Sequence, residues 1–226
     1  MRSQFKERVH RRDRLVVAAI ASSTDCQTPP SQIRSSCDLV ELRLDYLGWG
    51  QDVRDFAASL ESLPILVTAR GREEGGKGSL SVEERALAYD SLLPWTTALD
   101  IELADHSLFP DLLERARSLE ISIIGSYHNF DQTPPPELIA EKLRAPADIH
   151  KFACLTERPE DLMTLFMALQ HSGPVSAMGM GPLGGAARPV LAQAGSVLNY
   201  GSLGETTTAP GQWPARLLKE AVGLML

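Results

Sequence analysis

The chain has 226 residues, 43% of them hydrophobic and 23% charged, the composition of a globular protein long enough to bury one large core. Its formal net charge is -7, from 22 basic and 29 acidic side chains. With no basic stripe interleaved with aromatics, nucleic acid is excluded as the main partner, although small anions can still be held where arginines gather locally.

Residues 1–13, within "MRSQFKERVHRRDR", read as an N-terminal tail, either flexible or covering one end of the fold. A single domain is expected over 14–226. The apolar run that follows the tail, "LVVAAIA", is too short to span a bilayer. It imitates a signal peptide, but a regular series of similar runs follows, so it reads as a buried strand and no membrane partner is expected. Cys26, Cys37 and Cys154 are odd in number and lack CxxC spacing, which argues against a disulfide framework or a zinc site and for reduced thiols in the cytoplasm.

Eight apolar runs organise the chain: Leu15 to Ala21, Leu39 to Leu44, Ile65 to Ala69, Ala98 to Leu103, Ile121 to Ser126, Ile149 to Leu155, Val175 to Met180 and, least clearly, Val197 to Tyr200. Helical segments lie between most of them. Ser81 and Glu84 have the spacing of a capping box ahead of "RALAYDSLL". Pro134 to Pro136 precede "ELIAEKL", and Pro159 opens a stretch with Leu162, Leu165, Phe166 and Leu169 on one face. Leu217, Leu218, Ala221 and Val222 repeat the pattern at the end. Continuous apolar strands alternating with helices predict a parallel sheet covered on its outside, an α/β architecture best met by a (β/α)8 TIM barrel. "SSTDCQTPPSQIRSSC" and "GPLGGAARPVLAQAGS" leave room for only short helices, which keeps a doubly wound open sheet as the runner-up.

The strand ends decide between the two. Glu41 and Arg43, Arg70, Glu102, His128, Lys151 and Met180 stand at or near the ends of successive runs. In a barrel the C-terminal ends of many strands converge on one site, whereas an open sheet offers one crevice. Burying an unpaired charge is very costly, so an ionisable residue on an apolar strand is either solvated at its end or used. His128 in "IIGSYHNF" and Lys151 in "DIHKFACL" therefore point to an active site. Glu102 alone reads better as half of a structural ion pair.

The motifs "ELRLD", "TARGREEGG", "DIEL", "SYHNFDQTP", "ADIHKFA", "MGPLGGAAR" and "TTAPGQWP" follow one another in the order and approximate spacing of type I 3-dehydroquinate dehydratase, so that from about Leu15 onward the chain resembles that shikimate-pathway family. The resemblance implies a cofactor-free lyase converting 3-dehydroquinate to 3-dehydroshikimate. Lys151 matches the Schiff-base lysine, which must be a neutral amine to attack a ketone and whose iminium then serves as electron sink. His128 matches the general acid/base, a role suited to imidazole. Glu74 matches its acidic neighbour, with Glu73 beside it as the exposed counterpart that one sequence does not separate from it.

The resemblance also assigns the binding groups. Arg188 matches the carboxylate-binding arginine, whose planar fork suits that group better than a lysine. Arg43 and Arg70 match two further site arginines, Glu41 the residue that meets substrate hydroxyls, Gln212 the glutamine on the closing loop, and Met180 an apolar wall. Thr208 stands where the family most often has serine, adding a β-methyl that restricts its rotamer. A homodimer is implied by analogy with the family, and the end of the chain after the last helix suggests a monofunctional enzyme.

"GMGPLG" at Gly179 to Gly184 satisfies G-x-G-x-x-G on paper. Pro182 interrupts the turn and no acidic residue ends a following strand, so the glycines read as backbone that approaches a small ligand and brings Arg188 inward. His10, His106, His150 and His171 lack metal-ligand spacing, and His150 should point away from Lys151 on the same strand. Two alternatives remain: another lysine-imine barrel enzyme of the aldolase type, and a binding-only relative.

Overall fold

The computed structural model describes residues 1–60, 63–78 and 80–224. Its strands are β1 (Leu15–Ile20), β2 (Leu39–Arg43), β3 (Ile65–Thr68), β4 (Ala98–Glu102), β5 (Ser122–Asn129), β6 (Ile149–Leu155), β7 (Val175–Met180) and β8 (Leu198–Ser202). They form one eight-stranded sheet in the order β7-β6-β5-β4-β3-β2-β1-β8. Every paired neighbour is parallel. The seam between β7 and β8 is drawn together by Val197 N–H donating to Val175 O at 3.0 Å and Ala177 N–H to Ser196 Oγ at 3.0 Å. The result is a nearly closed (β/α)8 barrel.

The helices are α1 (Arg2–His10), α2 (Pro30–Ser36), α3 (Leu44–Leu47), α4 (Gln51–Ser59), α5 (Val82–Leu92), α6 (Pro110–Ser118), α7 (Pro136–Lys142), α8 (Pro159–Leu169), α9 (Gly184–Gln193) and α10 (Ala215–Leu224). The capping box read from Ser81 and Glu84 is present in both directions at the start of α5. Of the two connections that left room for only short helices, one holds the seven-residue α2, whereas the other forms α9, ten residues long despite Pro189 inside it.

The strands read as unbroken apolar runs because both of their faces are buried. In β1, Leu15 and Val17 belong to the barrel interior, whereas Val16, Ala18 and Ile20 join the shell beneath the helices. In β6 the interior takes Ile149 and Ala153 while Phe152 and Cys154 pack outward. The period of two therefore places each odd residue of β6, Lys151 included, inside the barrel.

The segment before β1 is helical. Phe5 and Val9 of α1 are buried in the same apolar cluster as Leu15, Leu39 and Leu66 at the N-terminal ends of the strands, so α1 plugs the barrel bottom. Arg2 holds it in place, donating to the carbonyls of Leu93, Thr96 and Leu119 at 2.8–2.9 Å. Phe5→Ala should cost about 3 kcal/mol of stability, the low end for a buried phenylalanine because α1 has one face in solvent. Urea unfolding should report this loss while leaving kcat unchanged, since the plug sits at the end of the barrel opposite the polar strand ends.

Candidate active site

Alternation along each strand carries a polar pair into the barrel above the apolar bottom layer. β2 offers Glu41 and Arg43 beyond Leu39; β4 offers Asp100 and Glu102 beyond Ala98; β5 offers Ser126 and His128 beyond Ile124. Register then sets neighbours side by side: Thr68 pairs with Asp100, Glu102 with Ser126, and Ser126 with Lys151.

At the centre lies Asp100, fully buried. Its Oδ2 is 2.7 Å from Lys151 Nζ, and its Oδ1 accepts from Arg70 Nη2 at 2.8 Å and from Ser126 Oγ at 2.6 Å. Arg70 also donates to Ser126 Oγ at 2.7 Å and approaches Glu102 at 3.3 Å. Glu41 accepts from Thr68 Oγ1 at 2.8 Å and stands 3.9 Å from Lys151 Nζ. Arg43 forms a two-pronged pair with Asp45 at 2.9 and 2.7 Å. Glu102 accepts from Gly71 N at 2.6 Å and pairs with Arg85, in keeping with its structural role.

Glu74 ends a short 3-10 turn, Arg72–Glu74. Its Oε2 accepts the backbone N–H of His128 at 2.9 Å and lies 2.8 Å from His128 Nδ1. Glu73 is exposed, so the turn itself separates the two neighbouring glutamates. Burial drives the Glu74 carboxyl up to about 7 against the pull of Arg70. Burial, helped by Arg70 and Lys151, holds His128 well below its ordinary value, so its imidazole is neutral. Arg70 and Lys151 outweigh desolvation at Asp100 and keep it a carboxylate at any physiological pH.

Arg188 stands apart from the other site arginines. Only 3% exposed, it donates from Nε to Gly211 O at 3.1 Å and from Nη1 to Tyr200 O at 2.9 Å. Its Nη2 is buried without a partner, and burial lowers the guanidinium to about 10. The glycines of "GMGPLG" make this approach possible. A Cβ on Gly184 would sit 2.9 Å from the Gly179 carbonyl, and Gly181 has φ of +74°, so the chain turns tightly into α9 and carries Arg188 inward.

Glu41, Arg43, Arg70, Glu74, His128, Lys151, Arg188, Thr208 and Gln212 line a single cavity at the C-terminal ends of the strands. From β7, Met178 lines this cavity, and Met180, two positions later on the same inward face, is packed into the interior cluster at 1% exposure. Thr208 and Gln212 hold each other, Gln212 Oε1 accepting from Thr208 N at 2.7 Å and Oγ1 at 3.2 Å. His150 points outward to Ala145 O and the His171 ring. A larger cleft, about 480 Å³, opens at the opposite end among Arg8, Arg12, Asp13 and Lys219, but Arg8 is paired there with Asp13 and Asp38 and Arg12 is spent on backbone carbonyls.

Asp100, Ser126, Asp45 and Tyr200 escaped the sequence reading. An aspartate inside "TALDIEL", spaced by two from Glu102, was the available signal for Asp100, because an acid in mid-strand needs a buried cation. Ser126 and Tyr200 carried no such mark.

The model of the type I 3-dehydroquinase family matches residues 15–226. A 3-dehydroquinate dehydratase of Enterococcus faecalis is 33% identical over 90% of this chain and 88% of its own length. One from Thermodesulfovibrio yellowstonii is 31% identical over 87% and 89%. The crystal structure of 3-dehydroquinate dehydratase from Geobacillus kaustophilus superposes with a TM-score of 0.80 at 26% identity, covering 93% of this chain and 90% of that one.

The raised Glu74 gives a pH signature in stability. Its folded value, about 7, lies above that of an unfolded glutamate, so between about pH 4.5 and 7 the folded state holds the extra proton. That contribution is present at low pH and lost as pH rises through 7. Between pH 5 and 7, unfolding free energy of the wild type should therefore fall relative to Glu74→Gln, as measured by urea melts at each pH; parallel curves would mean that Glu74 is an ordinary carboxylate.

Proposed function

This chain belongs to the type I 3-dehydroquinase family, and from that premise we propose how its barrel mouth performs the reaction. The chain catalyses dehydration of 3-dehydroquinate to 3-dehydroshikimate, a step of the shikimate pathway. The observation that carries the assignment of roles is the meeting of Lys151, His128 and a carboxylate-free Arg188 in one cavity.

Lys151 is the nucleophile. Held against the Asp100 carboxylate in the free enzyme, its ammonium gives up one proton, the amine adds to the substrate ketone, and the carbinolamine hydroxyl takes that proton and leaves as water, giving an iminium that draws electrons from the adjacent carbon. His128, neutral through burial and held at Nδ1 by Glu74, takes the proton from that carbon. The electron pair then expels the β-hydroxyl, to which the imidazolium returns a proton so that it departs as water. Hydrolysis of the conjugated imine restores Lys151 and releases product. Asp100 and Glu41 keep the lysine head aimed at the substrate carbonyl.

Arg188 binds the substrate carboxylate. Arg43 is occupied by Asp45, and Arg70 by Asp100 and Glu102, whereas Arg188 has an orphaned donor and no acidic partner among the described residues. Arg43, Arg70 and Glu41 meet hydroxyl groups, and Thr208 with Gln212 closes over the ligand. Met178 joins Met180 as the apolar wall. The enzyme works, in our reading, on a small-molecule substrate in the cytoplasm as a homodimer: its three cysteines are free thiols, no described helix is long and apolar enough to cross a membrane, and the dimer follows the family by analogy.

An imine is reducible and a non-covalent complex is not. Borohydride added during turnover should inactivate the enzyme and leave a substrate-derived mass on the peptide holding Lys151, and Lys151→Ala should lose both label and turnover. An adduct on Lys142 or Lys77, or none at all, would sink the mechanism. Arg188→Lys keeps the charge but not the fork, so KM should rise at least about tenfold in a folded protein; unchanged kinetics would hand the carboxylate to another arginine.

A further inference from the structure

Among the described residues, four buried side-chain polar atoms have no hydrogen-bond partner: Asp90 Oδ1, His106 Nε2, Arg188 Nη2 and Tyr200 Oη. The last two belong to residues lining the catalytic cavity. Arg188 is accounted for by a ligand carboxylate. Tyr200 has no role so far, and we propose that its hydroxyl is a substrate-binding group that hydrogen-bonds an oxygen of the bound substrate; this rests on the reading of the site given above.

The placement argues for it. Tyr200 is the inward residue of β8 beyond Leu198 and is 4% exposed. Its ring face lies 4.1 Å from Lys151 Nζ, and its backbone carbonyl receives Arg188 Nη1. One residue thus touches both the imine-forming amine and the carboxylate-binding guanidinium. Ring packing alone does not explain it. A phenylalanine would present the same face to Lys151 without a buried hydroxyl, and a buried hydroxyl lacking a partner is destabilising. The group has one donor and two acceptor sites to offer, and a polyhydroxylated acid brings oxygens of both kinds into the cavity. The hydroxyl is therefore satisfied in the complex rather than in the free enzyme.

Tyr200→Phe tests this, because it removes one oxygen and keeps the ring over Lys151. KM for 3-dehydroquinate should rise roughly 3- to 10-fold, the effect of one neutral hydrogen bond. Turnover number should change less than about twofold, since the cation–π contact with Lys151 persists. The melting temperature of the free variant should be no lower than that of the wild type. A KM equal to wild type overturns the proposal, whether or not stability changes; a lowered melting temperature with unchanged KM would make the hydroxyl structural. Wild-type enzyme assayed in parallel separates the two levels: if it turns over and the variant matches it, only the role of Tyr200 fails, whereas an inactive wild type overturns the underlying reading and this one with it.

Discussion

Asp100 is a carboxylate at the centre of a barrel, with no access to water, and it stays ionised because Arg70 and Lys151 both reach it within 2.8 Å. Removing water from any one of these charges is expensive, and their mutual attraction at short range is what offsets it. Every other polar residue of the mouth is arranged around that compromise. Ser126 takes the second acceptor site of Asp100 Oδ1, Glu102 and Glu74 stand on the far side of Arg70, and Glu41 stands on the other side of the lysine. Taking out one member would leave a buried charge uncompensated, a loss on the order of 3–5 kcal/mol.

Such a network is a weak source of stability, since apolar residues of the same volume would pack as well. The fold is held elsewhere, by the shells of Leu, Ile and Val between strands and helices and by α1 across the bottom. The charged layer is better understood as pre-organisation. On the proposed function Lys151 is aimed before the substrate arrives, His128 is kept neutral by burial and oriented by Glu74, and neither needs to be assembled during the reaction. The arginines divide in the same way: Arg43 and Arg70 are paired with carboxylates, and Arg188 keeps one buried donor without a partner among the described residues, the donor that the proposed function gives to the ligand's carboxylate.

Loop backbone completes this division. Gly211, with φ of +75°, turns its carbonyl toward Arg188 Nε, while Thr208 and Gln212 lock the same loop internally. The loop of Thr208 to Gln212 and Arg188 are thus one mechanical unit. Tyr200, joined to Arg188 through its carbonyl and to Lys151 through its ring, ties that unit to the chemical centre.

How much of this was legible beforehand follows from what periodicity records. Eight apolar runs separated by helix starts announced a parallel barrel, and ionisable residues at the ends of those runs announced where its chemistry lies, because burial on two faces and the cost of an isolated charge are both properties of local sequence. Lys151, His128, Arg43 and Arg70 were accordingly reachable as polar strand ends, whereas Glu74 and Arg188 came only from the family resemblance. Met178 as a cavity residue was not, since it shares the inward face of β7 with Met180 and only depth along the barrel distinguishes them. Nor was the separation of Glu74 from Glu73, which a single 3-10 turn decides. Asp100, Ser126 and Tyr200 needed the tertiary structure for a stronger reason. Their meaning lies in partners that are 51, 56 and 12 residues away along the chain, for Asp100 with Lys151, Ser126 with Arg70 and Tyr200 with Arg188. Side-chain periodicity tells which face a residue occupies; only closure of the barrel brings those faces together and determines which charge meets which.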